Sequence, residues 1–165
     1  MEPNSSPTEE AIQVLIVPLR GLNIVVPQSM VVEIQPVTEV GGQQKDVDWL
    51  RGEIDWRGRK VPLVSLEAYC GLENAAPSGR SRRVAVLHGL GAAEEIGSYA
   101  IEIHSIPHPV RISRSDVIPV DSEGEDCELF LHSVKVAGVY GQLVDFDRLE
   151  TRLQEILSPS NTETS

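Results

Sequence analysis

Residues 49–66, WLRGEIDWRGRKVPLVSL, decide the fold. Two short runs rich in β-branched residues flank Arg57-Gly58-Arg59, Gly58 can supply the positive φ of a tight turn, and Pro62 interrupts the ladder soon after. The pattern predicts a β-hairpin with strands over 50–56 and 60–66 and a turn built from those three residues. A turn of this kind presents side chains outward, which makes Trp56 and Arg57 candidates for touching a partner. The alternative is that Arg57 only solvates the turn and Trp56 is half-buried.

Outward from the hairpin the pattern remains β. Upstream, strands are expected at 12–17, at 22–26 closed by Pro27, and at 30–35, followed by a loop at 41–45. A short turn or half-helix is expected at 67–70. The segment 71–81, with Gly71, Pro77 and Gly79 among small residues, is the best internal boundary. Beyond it, strands are expected at 83–87, 99–103, 110–112, 128–137 and 142–146. A single helix is well marked: Leu149, Leu153, Ile156 and Leu157 recur on one face, with Asp145 or Asp147 as its cap. Short strands at regular spacing on both sides of the boundary indicate an all-β architecture of two barrels or sandwiches. Residues 1–10 and 158–165 are polar and are expected to be disordered tails around an ordered region of 11–157.

Composition narrows the partners. With 14 Lys and Arg against 25 Asp and Glu in 165 residues, the net charge is −11, which repels nucleic-acid phosphates and anionic lipid head groups at long range. Arg80, Arg82 and Arg83 form a basic cluster without an interleaved aromatic to stack a base, and are read as a solvated linker. The N-terminus begins with acid and proline, unlike a signal peptide, and no apolar run approaches the length of a membrane span, so a cytoplasmic protein without direct membrane insertion is expected. Cys70 and Cys127 stand in no redox or zinc spacing. They are read as buried or idle thiols of a reducing compartment, a lone disulfide being the minor alternative.

Catalytic constellations are not apparent. His88-Gly89-Leu90-Gly91 follows an apolar strand pattern, yet Glu94 stands where a dinucleotide fold needs a third glycine, and no GxSxG elbow offers a nucleophile. His104 and His108 are four apart, but Pro107 and Pro109 forbid the helix that would align them as metal ligands. The carboxylates at 121–126 look like solvation. Neither a cofactor nor an enzymatic activity is expected.

At 52–66, GEIDWRGRKVPLVSL resembles the most recognisable stretch of the CheW-like family of chemotaxis coupling domains, which runs Gly-x-x-Asn-Leu-Arg-Gly-x-x-x-Pro-x-x-Asp-Leu. Gly52, Arg57, Gly58, Pro62 and Leu66 stand at its positions. Val31-Val32-Glu33-Ile34 resembles the family's Val-x-Glu-Ile strand, and the GLNIVVP before it resembles the short second strand. Downstream, Ile101-Glu102, the stretch from Ile112 to Pro119, and QLVDFDRL at 142–149 continue the likeness more thinly. Asp55 and Trp56 replace the family's Asn and Leu, Ser65 replaces the Asp of its Asp-Leu pair, and Glu102 its downstream Asp.

The resemblance implies two small five-stranded SH3-like β-barrels around a shared core, with a C-terminal helix. It also implies a non-enzymatic adaptor joining a chemoreceptor's signalling tip to the regulatory domain of a CheA-type histidine kinase. The N-terminal barrel is then the kinase-facing lobe and the groove between barrels the receptor site. On this basis Arg57 orders the contact region, Gly52 and Gly58 set its backbone, and Val31, Glu33 and Ile34 add surface. Asp55 and Trp56 beside Arg57 are expected to alter who can dock, as in a specialised system such as one controlling pilus-based surface motility. A stand-alone β-barrel interaction module unrelated to a sensory kinase is the alternative.

Overall fold

The computed structural model describes residues 11–19, 21–37, 40–42, 47–71, 82–89, 97–120 and 127–157. In chain order the elements are β1 (Ile12–Leu19), β2 (Leu22–Pro27), a 3₁₀ turn (Gln28–Met30), β3 (Val31–Val37), β4 (Leu50–Trp56), β5 (Arg59–Val64) and α1 (Leu66–Tyr69). They continue with β6 (Arg82–His88), β7 (Ser98–Ile103), β8 (His108–Ile112), a second 3₁₀ turn (Arg114–Asp116), β9 (Ile118–Val120), β10 (Phe130–Val136), β11 (Val139–Val144) and α2 (Phe146–Leu157).

The strands form two sheets. One is six-stranded in the order β8-β1-β2-β11-β10-β9, and the other five-stranded in the order β3-β6-β7-β5-β4. The sixth strand, beyond the five expected, is the three-residue β9 paired to β10. Each sheet has its own apolar cluster. Ile54, Trp56, Val61, Leu63, Val84, Val86 and Ala100 fill the five-stranded lobe, while Val14, Ile16, Val25, Ile112, Val134 and Val136 fill the six-stranded one. Between the lobes lies a larger shared core, in which Leu15 and Val17 of β1 meet Leu87, Tyr99 and Ile101, with Leu149 and Leu153 of α2 beside them. Alternate residues of one strand thus enter different cores: Val84 and Val86 point into the lobe, Ala85 and Leu87 into the shared core. This is why the inner strands read as continuous apolar runs rather than as half-exposed alternation.

The two halves of the chain repeat one design and exchange strands. The antiparallel pair β1·β2 corresponds to β6·β7, and the β4·β5 hairpin to β10·β11. Each hairpin's second strand runs parallel to a strand from the other half, β5 beside β7 and β11 beside β2. β3 crosses to pair with β6, and β8 to pair with β1. Residues 72–81 lie outside the described region; the connection across them joins the two repeats, while each lobe draws strands from both. Arg82 and Arg83 belong to β6, paired with Val37 and Pro36, rather than to a solvated linker.

Helix α2 starts one residue after Asp145, whose Oδ1 accepts the Arg148 amide at 3.1 Å, so of the two expected caps Asp145 is the one used. Leu149 and Leu153 are fully buried, Ile156 packs at the margin and Leu157 is exposed. The expected idle thiols are corrected: Cys70 and Cys127 are joined in a disulfide with Cα atoms 5.3 Å apart. Their separation of 57 residues carries no spacing signal, because only the docking of α1 beside the turn before β10 brings them together.

Candidate partner-binding site

The β4–β5 hairpin turns on two residues, Arg57 and Gly58, with φ of 54° and 78°. Positive φ at both central positions is the type I′ geometry whose twist matches the flanking strands. Arg59 is already in the ladder opposite Trp56, so the turn is one residue tighter than the three expected. Arg57 accepts a backbone conformation uncommon for a side-chain-bearing residue.

That guanidinium is held. Its Nη2 lies 3.2 Å from Glu33 Oε1, and Cζ stands 4.9 Å from the centroid of the Trp56 ring. The Arg57 side chain nonetheless remains 65 % exposed. An exposed ion pair contributes at most about 1 kcal/mol, and a cation–π contact at such a site about as much, so the gain is orientation rather than stability.

Trp56 is where the expectation fails. The residue is 7 % exposed and belongs to the apolar interior of the five-stranded lobe, with Nε1 donating to Glu33 Oε1 at 3.0 Å. Neither outward presentation nor half-burial describes it. Alternation along β4 explains this, since Leu50, Gly52, Ile54 and Trp56 are buried while Glu53 and Asp55 are exposed. Asp55 therefore does not sit with Arg57 as an added carboxylate; it pairs with Lys60 at 3.1 Å across the hairpin.

Glu33 closes the lobe. β3 and β4 are the two ends of the five-stranded sheet order, and Glu33 on β3 receives both Trp56 and Arg57 from the end of β4. A backbone bridge reinforces the closure: the Gly41 amide donates to the Glu53 carbonyl at 3.0 Å, and the Glu53 amide donates to the Gly41 carbonyl at 2.7 Å. Gly52 has φ of 137° beside a β-bulge, and a Cβ there would lie 2.2 Å from the Gly41 carbonyl oxygen. Glycine is required at this position because the chain passes directly over it.

Val31 and Ile34 are partly buried and pack on the shared core, because a bulge between Val31 and Glu33 interrupts the alternation of β3. Part of each side chain thus goes to the shared core and part remains at the surface. Ser65 is fully buried and its hydroxyl accepts the Ala68 amide at 3.1 Å, the same capping role Asp145 has for α2. The departure from Asp at this position leaves the local design intact.

A second charged surface was not legible in the sequence. Along α2 a groove of about 530 Å³ is lined by Glu128, Asp145, Arg148, Arg152 and Glu155 among others. Tyr69 of α1 donates to Glu128 and accepts from Arg152 Nε at 3.2 Å, with the Trp49 ring 4.8 Å from its own. Burial, and then the hydrogen bond to Glu128, push the Tyr69 phenol above its ordinary pKa. The i, i+4 placement of Arg148 and Arg152 was the available signal, but nothing local showed that Glu128 would face them. Of the histidines, His88 ends β6, His104 lies in the turn after β7, and His108 and His132 sit on β8 and β10. Gly89 approaches the Gly97 carbonyl, its amide donating at 2.6 Å; residues 90–96 and the acidic 121–126 lie outside the described region. Among the described residues no helix is long and apolar enough to cross a membrane.

The family model for the CheW-like domain matches residues 13–153. The scaffolding protein TtCheW of Thermoanaerobacter tengcongensis is similar in structure, with a TM-score of 0.65 at 14 % identity over 82 % of this chain and 89 % of that one. No curated protein matches the sequence.

Proposed function

We propose that this chain, which belongs to the CheW-like domain family, is a non-enzymatic adaptor that couples chemoreceptors to a CheA-type histidine kinase. The observation that carries the reading is the exposed Arg57 guanidinium, fixed at the hairpin apex by Glu33 and Trp56. A coupling interface must be reversible and still transmit a conformational bias, so it needs a pre-oriented group more than a large apolar area. In this reading Arg57 and Glu33 contact the kinase's regulatory domain, Asp55, paired with Lys60, adds charge on the outer face of the hairpin, and Gly52 and Gly58 hold the backbone. Trp56, Val31 and Ile34 stiffen the rim from within. The receptor's signalling tip docks where the two lobes meet. Assignment to a pilus-type rather than a flagellar system rests on the Asp55-Trp56 divergence alone, and neighbouring genes test it.

The direct experiment is co-purification of the Arg57→Glu chain with a CheA-type regulatory domain and, separately, with a receptor-tip fragment. Kinase binding should fall at least about tenfold with an unchanged circular-dichroism spectrum, as expected for loss of a rim charge that sets orientation. Unchanged kinase binding removes Arg57 from the site. Binding of neither fragment by the parent chain favours the stand-alone interaction module.

A further inference from the structure

We propose that Cys70 and Cys127 form a reversible thiol–disulfide exchange site, reduced by a dithiol, whose state sets how firmly α2 is clasped to α1. The inference does not depend on the coupling role.

The bond lies where the clasp is made. Cys70 ends the four-residue α1, its amide donating to Leu66, and Cys127 opens the turn into β10. The residues flanking the two sulfurs carry the contact: Tyr69 precedes Cys70, Glu128 follows Cys127, and the Tyr69 hydroxyl donates to Glu128. Both then engage α2, with Arg152 Nε 3.2 Å from the Tyr69 hydroxyl and 3.8 Å from Glu128, and Arg148 Nη1 3.7 Å from Glu128. A helix of one turn has little stability of its own, so the cross-link is well placed to hold Tyr69 and Glu128 in register for the arginines. Tyr69 and Glu128 belong to opposite repeats of the chain, which makes this a tie between halves.

Both cysteines are half-buried rather than sealed, which leaves them within reach of a thiolate. One thiolate of the dithiol bonds to one sulfur of the pair, and the other sulfur leaves as a thiolate and takes a proton. The dithiol's second thiol then displaces the first-attacked cysteine. The dithiol departs as a disulfide, and two electrons and two protons have moved onto Cys70 and Cys127. Release of that bond frees Glu128 from Tyr69 and redistributes charge along the α2 groove, whose wall includes Glu128, Arg148 and Arg152.

The test uses the full chain held in oxidised glutathione or in dithiothreitol. Alkylation followed by mass measurement should add no groups in the oxidised state and two after reduction. Amide exchange should rise about tenfold more in α1 and α2 than in β6 and β7, as expected for a local opening rather than a general loss of stability. A chain carrying Cys70→Ser and Cys127→Ser should exchange like the reduced form in both buffers. Two alkyl groups in oxidised glutathione overturn the proposal, and so does a rise on reduction that is equal throughout the fold.

Discussion

The indole Nε1 of Trp56 donates to Glu33 Oε1 over 3.0 Å, joining the opposite edges of the five-stranded sheet through side chains. The same oxygen receives Arg57, so one carboxylate closes the lobe and orients the exposed guanidinium. Structure and proposed docking therefore share an atom, and the two roles separate by substitution.

Glu33→Ala leaves the Trp56 N–H without this acceptor and should destabilise by about 1–2 kcal/mol, whereas Arg57→Ala, removing an exposed partner, should cost less than about 1 kcal/mol. Urea unfolding followed by tryptophan fluorescence measures both. Equal costs for the two variants would show that the indole contact does not hold the rim.

Gly52→Ala should be much worse than Gly58→Ala, although both glycines have positive φ. At Gly58 nothing lies within 4 Å of a new Cβ, and the cost is the backbone term of about 1–2 kcal/mol. At Gly52 the Gly41 carbonyl must also move, breaking the closing bridge, and a total of about 3 kcal/mol or more is expected. Thermal denaturation of the two variants side by side decides it.

The caps at Ser65 and Asp145 accept the Ala68 and Arg148 amides, and each should lose about 1 kcal/mol on replacement by Ala. Asp145 also pairs with Arg148, which meets Glu128 and through it Tyr69 of α1, so the double variant should depart from the sum of the singles by about 0.5 kcal/mol or more. Chemical denaturation of the single and double variants checks this; a cap whose removal costs nothing is not holding its helix.

Tyr99 is fully buried and its hydroxyl donates to Glu150 Oε2 at 3.0 Å. Burial first, then the Glu150 charge, raise its pKa above the ordinary 10.0. A raised phenol pKa means that the folded state keeps a proton the unfolded chain gives up. The stabilisation is complete below the unfolded value and is lost as pH climbs beyond it. Alkaline titration should therefore show the Tyr99 phenolate appearing together with loss of the fold, and Tyr99→Phe should remove that share of the pH dependence. A phenolate signal from Tyr99 in the still-folded chain would falsify the coupling.

Much of this was legible locally. Gly58 after Arg57, between alternating runs, states a hairpin because φ is a property of one residue and its neighbours. Leu149 and Leu153 state a buried helix face because periodicity is local too. Trp56 misled because a bulky side chain beside a turn looks outward until the parity of β4 is counted from a buried Leu50. Cys70 and Cys127 misled because their distance along the chain bears no relation to their distance in space.

By itself, then, the sequence determined the all-β class, the β4–β5 hairpin with Gly58 in its turn, and the α2 face. Only the tertiary structure decided that β3 and β8 cross to the other repeat's strands, that Glu33 meets Trp56, and that Tyr69 meets Glu128 beside a disulfide. Those pairings are chosen by burial of three apolar clusters at once. Burial of that kind is a sum over distant residues, and no window of the chain contains it.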